Sequence, residues 1–256
     1  GGGPTGVEFA GALVELIRGP LHKDFPSLNL AEVRVVLLEA LDRLLSGMPE
    51  PLGRYALEQL RKKGVDVRLK AAVSQVTPEA VHLKDGEPIP TETVAWTAGV
   101  RAHPLAEASG LPTTRRAQVE VLPTLQVPGH PEVYVVGDLA AFQQEGQLLP
   151  MLAAVAIQEG EAAARNIGLQ VQGKEPQPFV YKDKGIMAVI GRNAAAARLG
   201  RGTYTGFPAW VLWLGYHLFK LIGFRNRLIV LVNWAWAYLF FERAVKAILP
   251  LDIEGG

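Results

Sequence analysis

Cysteine is absent from the 256 residues of this sequence. Its absence excludes disulfide bonds, thiolate-ligated metal sites and a redox-active pair of cysteines within these residues. An excess of charge of either sign is also lacking, because 26 Lys and Arg residues balance 25 Asp and Glu residues and leave a net charge of +1. Such a chain has no general electrostatic attraction to nucleic acid, so we expect no nucleic-acid partner.

The sequence opens on glycines. Gly1, Gly3 and Gly6 occupy the first, third and sixth places of a G-x-G-x-x-G pattern, and residues 7–17 after them are mostly small and apolar. In dinucleotide-binding folds these glycines make a tight turn, admit the pyrophosphate and allow close packing of the following helix, whose N-terminus attracts phosphate. The pattern alone is weak evidence, and an ordinary glycine turn before a helix is the alternative interpretation.

An acidic residue ends the next apolar run. Residues 33–38 predict a buried parallel strand, and Glu39 follows it directly. A carboxylate there could bind both hydroxyls of an adenosine ribose, which favours NADH because a 2′-phosphate would be repelled. The alternative is a solvated acid at the end of a strand. The interval from the glycines is longer than the usual ~20 residues, so we interpret residues 18–30 as an inserted loop.

The elements that follow predict a nucleotide-binding module. They are a helix at 49–63, a strand at 65–69, a hairpin pair at 72–76 and 80–84, and a strand at 93–99. A strand–helix–strand unit followed by short strands is typical of a nucleotide-binding domain. Because such a fold needs a strand before the glycine turn, we expect that an N-terminal portion of the protein is missing from this sequence.

A second glycine–acid pair lies in the middle of the chain. Gly137 and Asp138 follow an apolar run that predicts a strand at residues 133–136. A carboxylate at this edge of an α/β sheet could accept a hydrogen bond from a ribityl hydroxyl, and a helix N-cap is the alternative. Residues 150–167 predict a long helix. Gln158 on this helix could bond a carbonyl ligand, or it could be a polar residue at the helix rim.

The end of the chain is strongly apolar. Residues 207–224 and 228–241 are rich in aromatic and aliphatic side chains and are separated by three polar residues. A membrane-spanning helix needs about 20 apolar residues, and neither stretch supplies them without interruption. We therefore predict helices that lie in the membrane interface. The alternatives are a buried helix pair and a transmembrane hairpin. His217 has no neighbouring ligand at metal-site spacing, so we expect no metal there.

Six stretches follow one another along the chain: GGGPTGVEFAGAL, VVLLEALDRLL, AWTAGV, VYVVGDLAA, LAAVAIQEG and GIMAVIGRNAA. Together they resemble the type II, non-proton-pumping NADH:quinone oxidoreductases, which belong to the flavoprotein superfamily with two dinucleotide-binding domains. The resemblance implies an α/β fold in three parts. These are a Rossmann-like NADH-binding domain at 1–99, the C-terminal part of an FAD-binding Rossmann domain with a quinone-site helix at 100–192, and an amphipathic membrane-anchoring region at 193–256.

The resemblance also implies roles for single residues. NADH is expected at Gly1, Gly3, Gly6 and Glu39, and the FAD ribityl chain at Gly137 and Asp138, with Gly99 near the return into the flavin domain. Glu8 matches an acid that the family keeps beside the flavin and quinone, and we place it in the first turn of its helix, where a carboxylate is stabilised. Gln158 and Lys184 are the candidate quinone contacts, because Ala154 replaces the first Gln of the family pattern Ala-Gln-x-Ala-x-Gln.

The expected cofactors are FAD and NADH, and the expected partners are ubiquinone or menaquinone, a lipid surface and a second copy in a homodimer. The family implies a peripheral position on the cytoplasmic face of a bacterial inner membrane. The first FAD glycine motif is not in this sequence, so we expect the chain alone to bind FAD poorly. The lack of cysteine argues against sulfide:quinone and disulfide reductases. The remaining alternative is a degenerate or truncated NADH-binding membrane module without turnover.

Overall fold

The computed structural model describes residues 1–240. Its α-helices are α1 (Pro4–Leu16), α2 (His22–Asp24), α3 (Glu50–Lys62), α4 (Leu105–Ala108), α5 (Ala153–Val171), α6 (Gly206–Lys220) and α7 (Phe224–Phe240). A π-helical turn covers Ile17–Leu21, and 3₁₀ turns cover Leu30–Glu32 and Gly137–Leu139. The strands are β1 (Val36–Leu38), β2 (Asp66–Arg68), β3 (Val73–Val76), β4 (Ala80–Leu83), β5 (Ile89–Pro90), β6 (Val119–Glu120), β7 (Gln126–Val127), β8 (His130–Tyr134), β9 (Ala140–Ala141), β10 (Gln143–Gln144), β11 (Gln147–Leu148), β12 (Ile186–Gly191), β13 (Ala194–Leu199) and β14 (Gly202–Thr205).

The described residues form two compact units, the first made of residues 1–98 and 185–240 and the second of Gly99–Lys184. The domain boundaries at residues 99 and 192 stay predictions. β12 belongs to the first unit because α1 packs directly against it. A Cβ on Gly11 of α1 would lie only 2.0 Å from the carbonyl oxygen of Ile190, so only glycine permits this contact.

A strand–helix–strand unit forms the centre of the first unit, as predicted. β1 and β2 pair in parallel, with Leu37 opposite Val67, and α3 connects them. Leu52, Ala56 and Leu60 recur every four residues on α3 and are buried in the core. This spacing puts them on one face of the helix, which packs against the strands.

Two predictions for the first unit are wrong. Residues 18–30 are not a simple loop, because the helical backbone of α1 continues through the π-helical turn, which accommodates Pro20, into α2. Residues 93–99 form no strand, since their backbone pairs with no neighbouring strand among residues 1–240, and Trp96 is 63% exposed. An extended segment becomes a strand only when another strand accepts its hydrogen bonds.

Two antiparallel sheets complete the first unit. One has the order β3-β4-β5, which confirms the predicted hairpin, and the other has the order β12-β13-β14. β13 is a run of small residues, and the buried Ala195 and Ala197 contact Ala209 of α6. α6 thereby lies on the sheet through its first turns. α7 has no buried residue.

The second unit contains short strand pairs and one long helix. β6 and β9 are parallel, while β7–β8 and β10–β11 are antiparallel. α5 begins three residues later than predicted and runs four residues further, to Val171. Its small buried side chains pack on an aromatic pair, Phe142 and Phe179, whose rings meet edge to face at 5.1 Å. We predicted a strand at residues 133–136, before Gly137. The observed strand, β8, ends two residues earlier, at Tyr134.

The C-terminal stretches are helical, as predicted, within the described residues. The last residue predicted for the second helix, and the part of the predicted anchoring region after residue 240, lie outside that range. Within residues 1–240, no helix combines the length and the apolar character that crossing a membrane requires. The interpretation of α6 and α7 as a buried pair is also wrong, because Phe219 and Phe224 are 71% and 79% exposed.

Candidate functional site

The opening turn (residues 1–6) leads into α1, which has Gly3 as its N-cap and Pro4 at its first position, so Thr5 and Gly6 already belong to the helix. A Cβ on Gly6 would lie 1.8 Å from the carbonyl oxygen of Gly1, and one on Gly1 would lie 2.8 Å from the Cα of Ala98. Packing within the protein therefore requires both glycines. A Cβ on Gly3 would meet no atom within 4 Å, so the space in front of Gly3 is open to a ligand.

The N-terminus of α1 adds hydrogen-bond donors to this space. The first helical bond runs from the Val7 N–H to the Gly3 oxygen, at 3.0 Å. The N–H groups of Thr5 and Gly6 come earlier and have no intrahelical partner. Unpaired amides at the positive end of a helix dipole suit a phosphate group.

Glu39 lies directly against the opening turn. Its Oε2 accepts the Gly2 N–H at 2.5 Å, and its Oε1 accepts the Leu41 N–H at 2.8 Å. The side chain comes from the end of β1, which explains why a residue 37 positions away reaches the glycines. Each carboxylate oxygen has a second lone pair, so the half-exposed group can still accept ribose hydroxyls. The ribose role of Glu39 stays a prediction.

Glu8 belongs to the interior of α1. The helix begins at Pro4 and has no acidic residue in its first turn, so the predicted first-turn position was wrong and stabilisation by the helix dipole is weaker there. Its Oε1 accepts the Val189 N–H of β12 at 3.0 Å. Burial raises the pKa of Glu8, while the Val189 N–H and the nearby His217 oppose that rise. The carboxyl group therefore retains its proton to a higher pH than an exposed glutamate does.

The second turn (Gly137–Leu139) carries the predicted Gly–Asp pair. Gly137 has a φ of +69°, a backbone conformation that favours glycine, and a Cβ there would lie 3.3 Å from the Cβ of Ala156 on α5. Asp138 is exposed. Its carboxylate accepts no hydrogen bond from another side chain or amide in the part of the chain that the structure describes.

Two buried polar residues that the sequence reasoning missed hold the second turn. Glu159 of α5 is 1% exposed, and its Oε2 accepts the Gly137 N–H at 2.5 Å. Gln118 is 3% exposed, and its Nε2 donates to the backbone carbonyl oxygens of Asp138 at 3.3 Å and Ala140 at 2.9 Å. The two side chains contact the turn from separate elements and fix its backbone at both ends.

Burial raises the pKa of Glu159 to about 7, because an ionised carboxylate is costly inside the protein. The Gly137 N–H opposes this rise, and the negative charge of Asp138 adds to it. Glu159 could have been identified from the sequence, because its position falls within the apolar stripe of α5. Val155, Glu159 and Ala162 are buried at intervals of four and three residues, which is one face of a helix.

The remaining predicted residues have less distinctive surroundings. The Nε2 of Gln158 donates to the oxygens of Ala154 and Lys182, each at 3.1 Å, and its Oε1 accepts the Lys182 N–H. A quinone could receive a hydrogen bond from Gln158 only by replacing one of these carbonyls. Lys184 is exposed, and Gly99 has a φ of +98°. The quinone roles of Gln158 and Lys184, and the flavin role of Gly99, stay predictions.

The fold and the two glycine turns point to a nucleotide-dependent oxidoreductase. The chain belongs to the pyridine nucleotide-disulphide oxidoreductase family, whose sequence profile matches residues 1–160. No cysteine occurs in these 256 residues, so disulfide chemistry of the kind in the family description has no thiol here.

Relatives of known name narrow the class. The chain is 39% identical to the type II NADH:quinone oxidoreductase Ndh of Mycobacterium tuberculosis over 95% of its own length and 54% of that protein. It is 32% identical to the mitochondrial internal alternative NAD(P)H-ubiquinone oxidoreductase A1 of Arabidopsis thaliana, over 94% of the chain and 50% of the relative. These similarities confirm the predicted family resemblance. The chain spans about half the length of the curated relatives it matches.

A solved structure matches the fold. The structure of NDH2 from Plasmodium falciparum in complex with NADH superimposes with a TM-score of 0.85 at 15% sequence identity, over 96% of this chain and 66% of that one. At this identity the match shows the fold alone. It confirms the predicted Rossmann-type α/β architecture.

Proposed function

We propose that this protein is an FAD-dependent oxidoreductase that transfers electrons from NADH to a membrane quinone without pumping protons. The observation that carries the proposal is the opening turn, where glycine packing, open space at Gly3 and the carboxylate of Glu39 coincide. The relatives at 39% identity are named type II NADH:quinone oxidoreductases, which supports the same reaction.

The opening turn fits the pyrophosphate and adenosine of NADH. A side chain at Gly3 would fill space that no protein atom uses, and the amides at the start of α1 can donate to phosphate oxygens. Glu39 can accept the ribose hydroxyls, and its negative charge opposes the extra phosphate of NADPH. The first unit is therefore the proposed NADH domain.

The second turn fits the polyol chain of FAD. Asp138 presents an exposed carboxylate next to Gly137. Gly137 has a left-handed backbone and no side chain, so the polyol chain can approach the turn closely. Hydroxyl groups donate well to an ionised carboxylate. When bound, FAD supplies the two-electron chemistry between NADH and quinone, and the residues of this chain bind and orient it.

Glu8 is the proposed source of a proton for quinone reduction. A quinone takes up protons as well as electrons, so a carboxyl group with a raised pKa is suited to deliver one near neutral pH. The Val189 N–H fixes Oε1 of Glu8. This contact defines the orientation of the carboxyl group, and Oε2 can carry the proton.

The surface of α6 and α7 is the proposed contact with lipid. Ile222 lies between the two helices and Phe224 begins α7. They are 88% and 79% exposed, and Lys220, Arg225 and Arg227 are close to them in the sequence. An exposed apolar patch of this size usually marks an interaction site, and basic residues at its edge attract anionic headgroups. This supports a peripheral position on a membrane, and the cytoplasmic face of a bacterial inner membrane and a homodimer belong to the same proposal.

Two measurements test the proposal. The purified protein, as its gene encodes it, should show the visible absorbance of bound flavin and should oxidise NADH only when a quinone is added. Bound NADH without flavin or turnover would favour a binding module instead.

For the lipid contact, replacement of Ile222 and Phe224 by Glu should weaken binding to phosphatidylglycerol vesicles at least about tenfold, because two exposed apolar side chains no longer enter the lipid. Val171→Glu is the matched control, since Val171 is 84% exposed on α5. Equal vesicle binding by all three proteins would contradict a lipid contact at α6 and α7.

A further inference from the structure

The second turn contains a buried acid that the proposed reaction does not use. Glu159 is 1% exposed, lies on α5, and accepts the backbone N–H of Gly137 in the turn. We propose that Glu159 is a positioning residue for the flavin, which fixes Gly137 and thereby aims the Asp138 carboxylate at the polyol chain. This inference rests on the proposed function, because it assumes that Asp138 binds FAD.

The position of the turn on α5 supports this role. Gly137 packs at Ala156, where an added Cβ would come within 3.3 Å, and bonds to Glu159 one turn further along the same helix face. α5 therefore sets both the distance and the orientation of the Gly137 peptide. A shift of this peptide would rotate Asp138, the next residue, away from its present direction.

A second buried side chain fixes the backbone on the other side of the turn. Gln118 holds the carbonyl oxygens of Asp138 and Ala140, so the backbone is fixed after the turn as well as before it. The carboxylate of Asp138 is exposed and receives no hydrogen bond from residues 1–240. Both buried polar groups thus fix a turn whose exposed carboxylate accepts no hydrogen bond within residues 1–240.

The strength of the contact depends on the ionisation of Glu159. A carboxylate accepts an N–H more strongly than a neutral carboxyl group does. The pKa of Glu159 is raised to about 7, with burial as the main cause and the charge of Asp138 on the second turn as a further one. FAD should therefore bind more tightly above pH 7 than below it.

The test is a titration of the flavin-depleted protein with FAD at pH 6 and pH 8. We expect about fivefold weaker binding at pH 6 for the parent protein. Glu159→Gln preserves an acceptor for Gly137 but cannot ionise, so its affinity should be the same at both pH values. Glu159→Leu removes the acceptor and should weaken binding about tenfold at pH 8.

The matched control is Glu161→Gln, since Glu161 lies two residues along α5 but is exposed. It should keep the affinity and the pH dependence of the parent. If the leucine variant does not fold, the glutamine variant decides, because a merely structural role would not abolish the pH dependence.

Three outcomes would overturn the inference. A parent protein that binds FAD equally at both pH values, or a Glu159→Gln variant that retains the parent's pH dependence, would overturn it alone. A parent protein that binds no FAD at either pH would overturn the proposed function as well, so the two failures are distinguishable.

Discussion

The opening turn and the second turn are each held by a glutamate from a distant part of the sequence. Glu39 accepts the N–H of Gly2, and Glu159 accepts the N–H of Gly137, both at 2.5 Å. The contacts are alike, but the surroundings are not. Glu39 is half-exposed at the end of a strand, whereas Glu159 is enclosed between α5 and the turn.

This difference separates two roles for one kind of contact. A glutamate that holds a turn from the solvent side retains free lone pairs at the surface and can bind a ligand directly. A glutamate that holds a turn from inside has no access to a ligand and acts through the backbone. Burial also makes its charge costly, so the inside glutamate becomes sensitive to pH near neutrality.

The largest expected effect comes from breaking the opening turn itself. Gly6→Ala places a Cβ 1.8 Å from the Gly1 oxygen, so the turn and the start of α1 must move apart. NADH affinity should fall at least about a hundredfold, and thermal stability should fall with it. Calorimetric titration and a melting curve measure both effects.

Gly47→Ala is the control for this prediction, since a Cβ on Gly47 meets no atom within 4 Å. It should behave like the parent. A Gly6→Ala protein with normal NADH affinity would show that the turn does not hold the dinucleotide.

Glu8 extends the comparison, because it is a third glutamate that accepts a backbone N–H, and like Glu39 it is half-buried. Burial raises the pKa of Glu8. If the protonated form donates to the quinone, turnover should decline as pH rises through this raised pKa. Glu8→Gln should lower kcat about a hundredfold and remove the decline.

Steady-state kinetics over a range of pH check the role of Glu8. The KM for NADH should not change, since Glu8 lies in the helix interior and not on the opening turn. An unaltered kcat in the variant would assign Glu8 a structural role only.

The ionisation of Glu159 should also make the free energy of unfolding depend on pH. The pKa of Glu159 is about 7 in the fold and 4.5 in its reference state, so between these pH values the folded protein binds more protons than the unfolded one. Its contribution to stability is therefore complete below pH 4.5 and is lost as pH rises to 7. Relative to Glu159→Gln, the flavin-free parent should lose about 3 kcal/mol over this range at most.

Urea unfolding of both proteins at pH 5 and pH 8 measures that difference. Glu161→Gln serves again as the control, because its parent side chain is exposed. Parallel pH profiles for the parent and Glu159→Gln would contradict a buried, titrating Glu159.

The smallest effect is expected at the solvent-side glutamate. Glu39→Gln combined with Ala40→Arg removes the repulsion of a 2′-phosphate and adds a positive charge at the exposed neighbour. The preference for NADH over NADPH should fall about tenfold or more. Comparison of kcat/KM for the two nucleotides measures it, and an unchanged ratio would argue against ribose binding by Glu39.

The sequence was most informative where a pattern was local. The apolar run before Glu39 and the four-residue spacing on α3 predicted the strand–helix–strand unit, because backbone periodicity follows from one segment alone. The predicted strand at residues 93–99 was wrong because strand formation depends on a partner elsewhere in the sequence. The packing of β12 on α1 could not be predicted, because no local pattern in the sequence reports so distant a contact.

The candidate site shows the same contrast between local patterns and distant contacts. Glycines and acids at strand ends identified both turns, since these residue types report a local backbone requirement. Glu159 and Gln118 were missed because each acts through a backbone group far away in the sequence. For Glu159, the buried stripe of α5 was a usable signal. For Gln118, no pattern in the neighbouring residues distinguishes it from an exposed glutamine.

A structure of the protein with NADH bound tests the central claim most directly. The account predicts the pyrophosphate in front of Gly3, within hydrogen-bond distance of the first amides of α1, and the adenosine ribose on the carboxylate of Glu39. NADH bound elsewhere, with the space at Gly3 still open and Glu39 in contact only with Gly2 and Leu41, would contradict it.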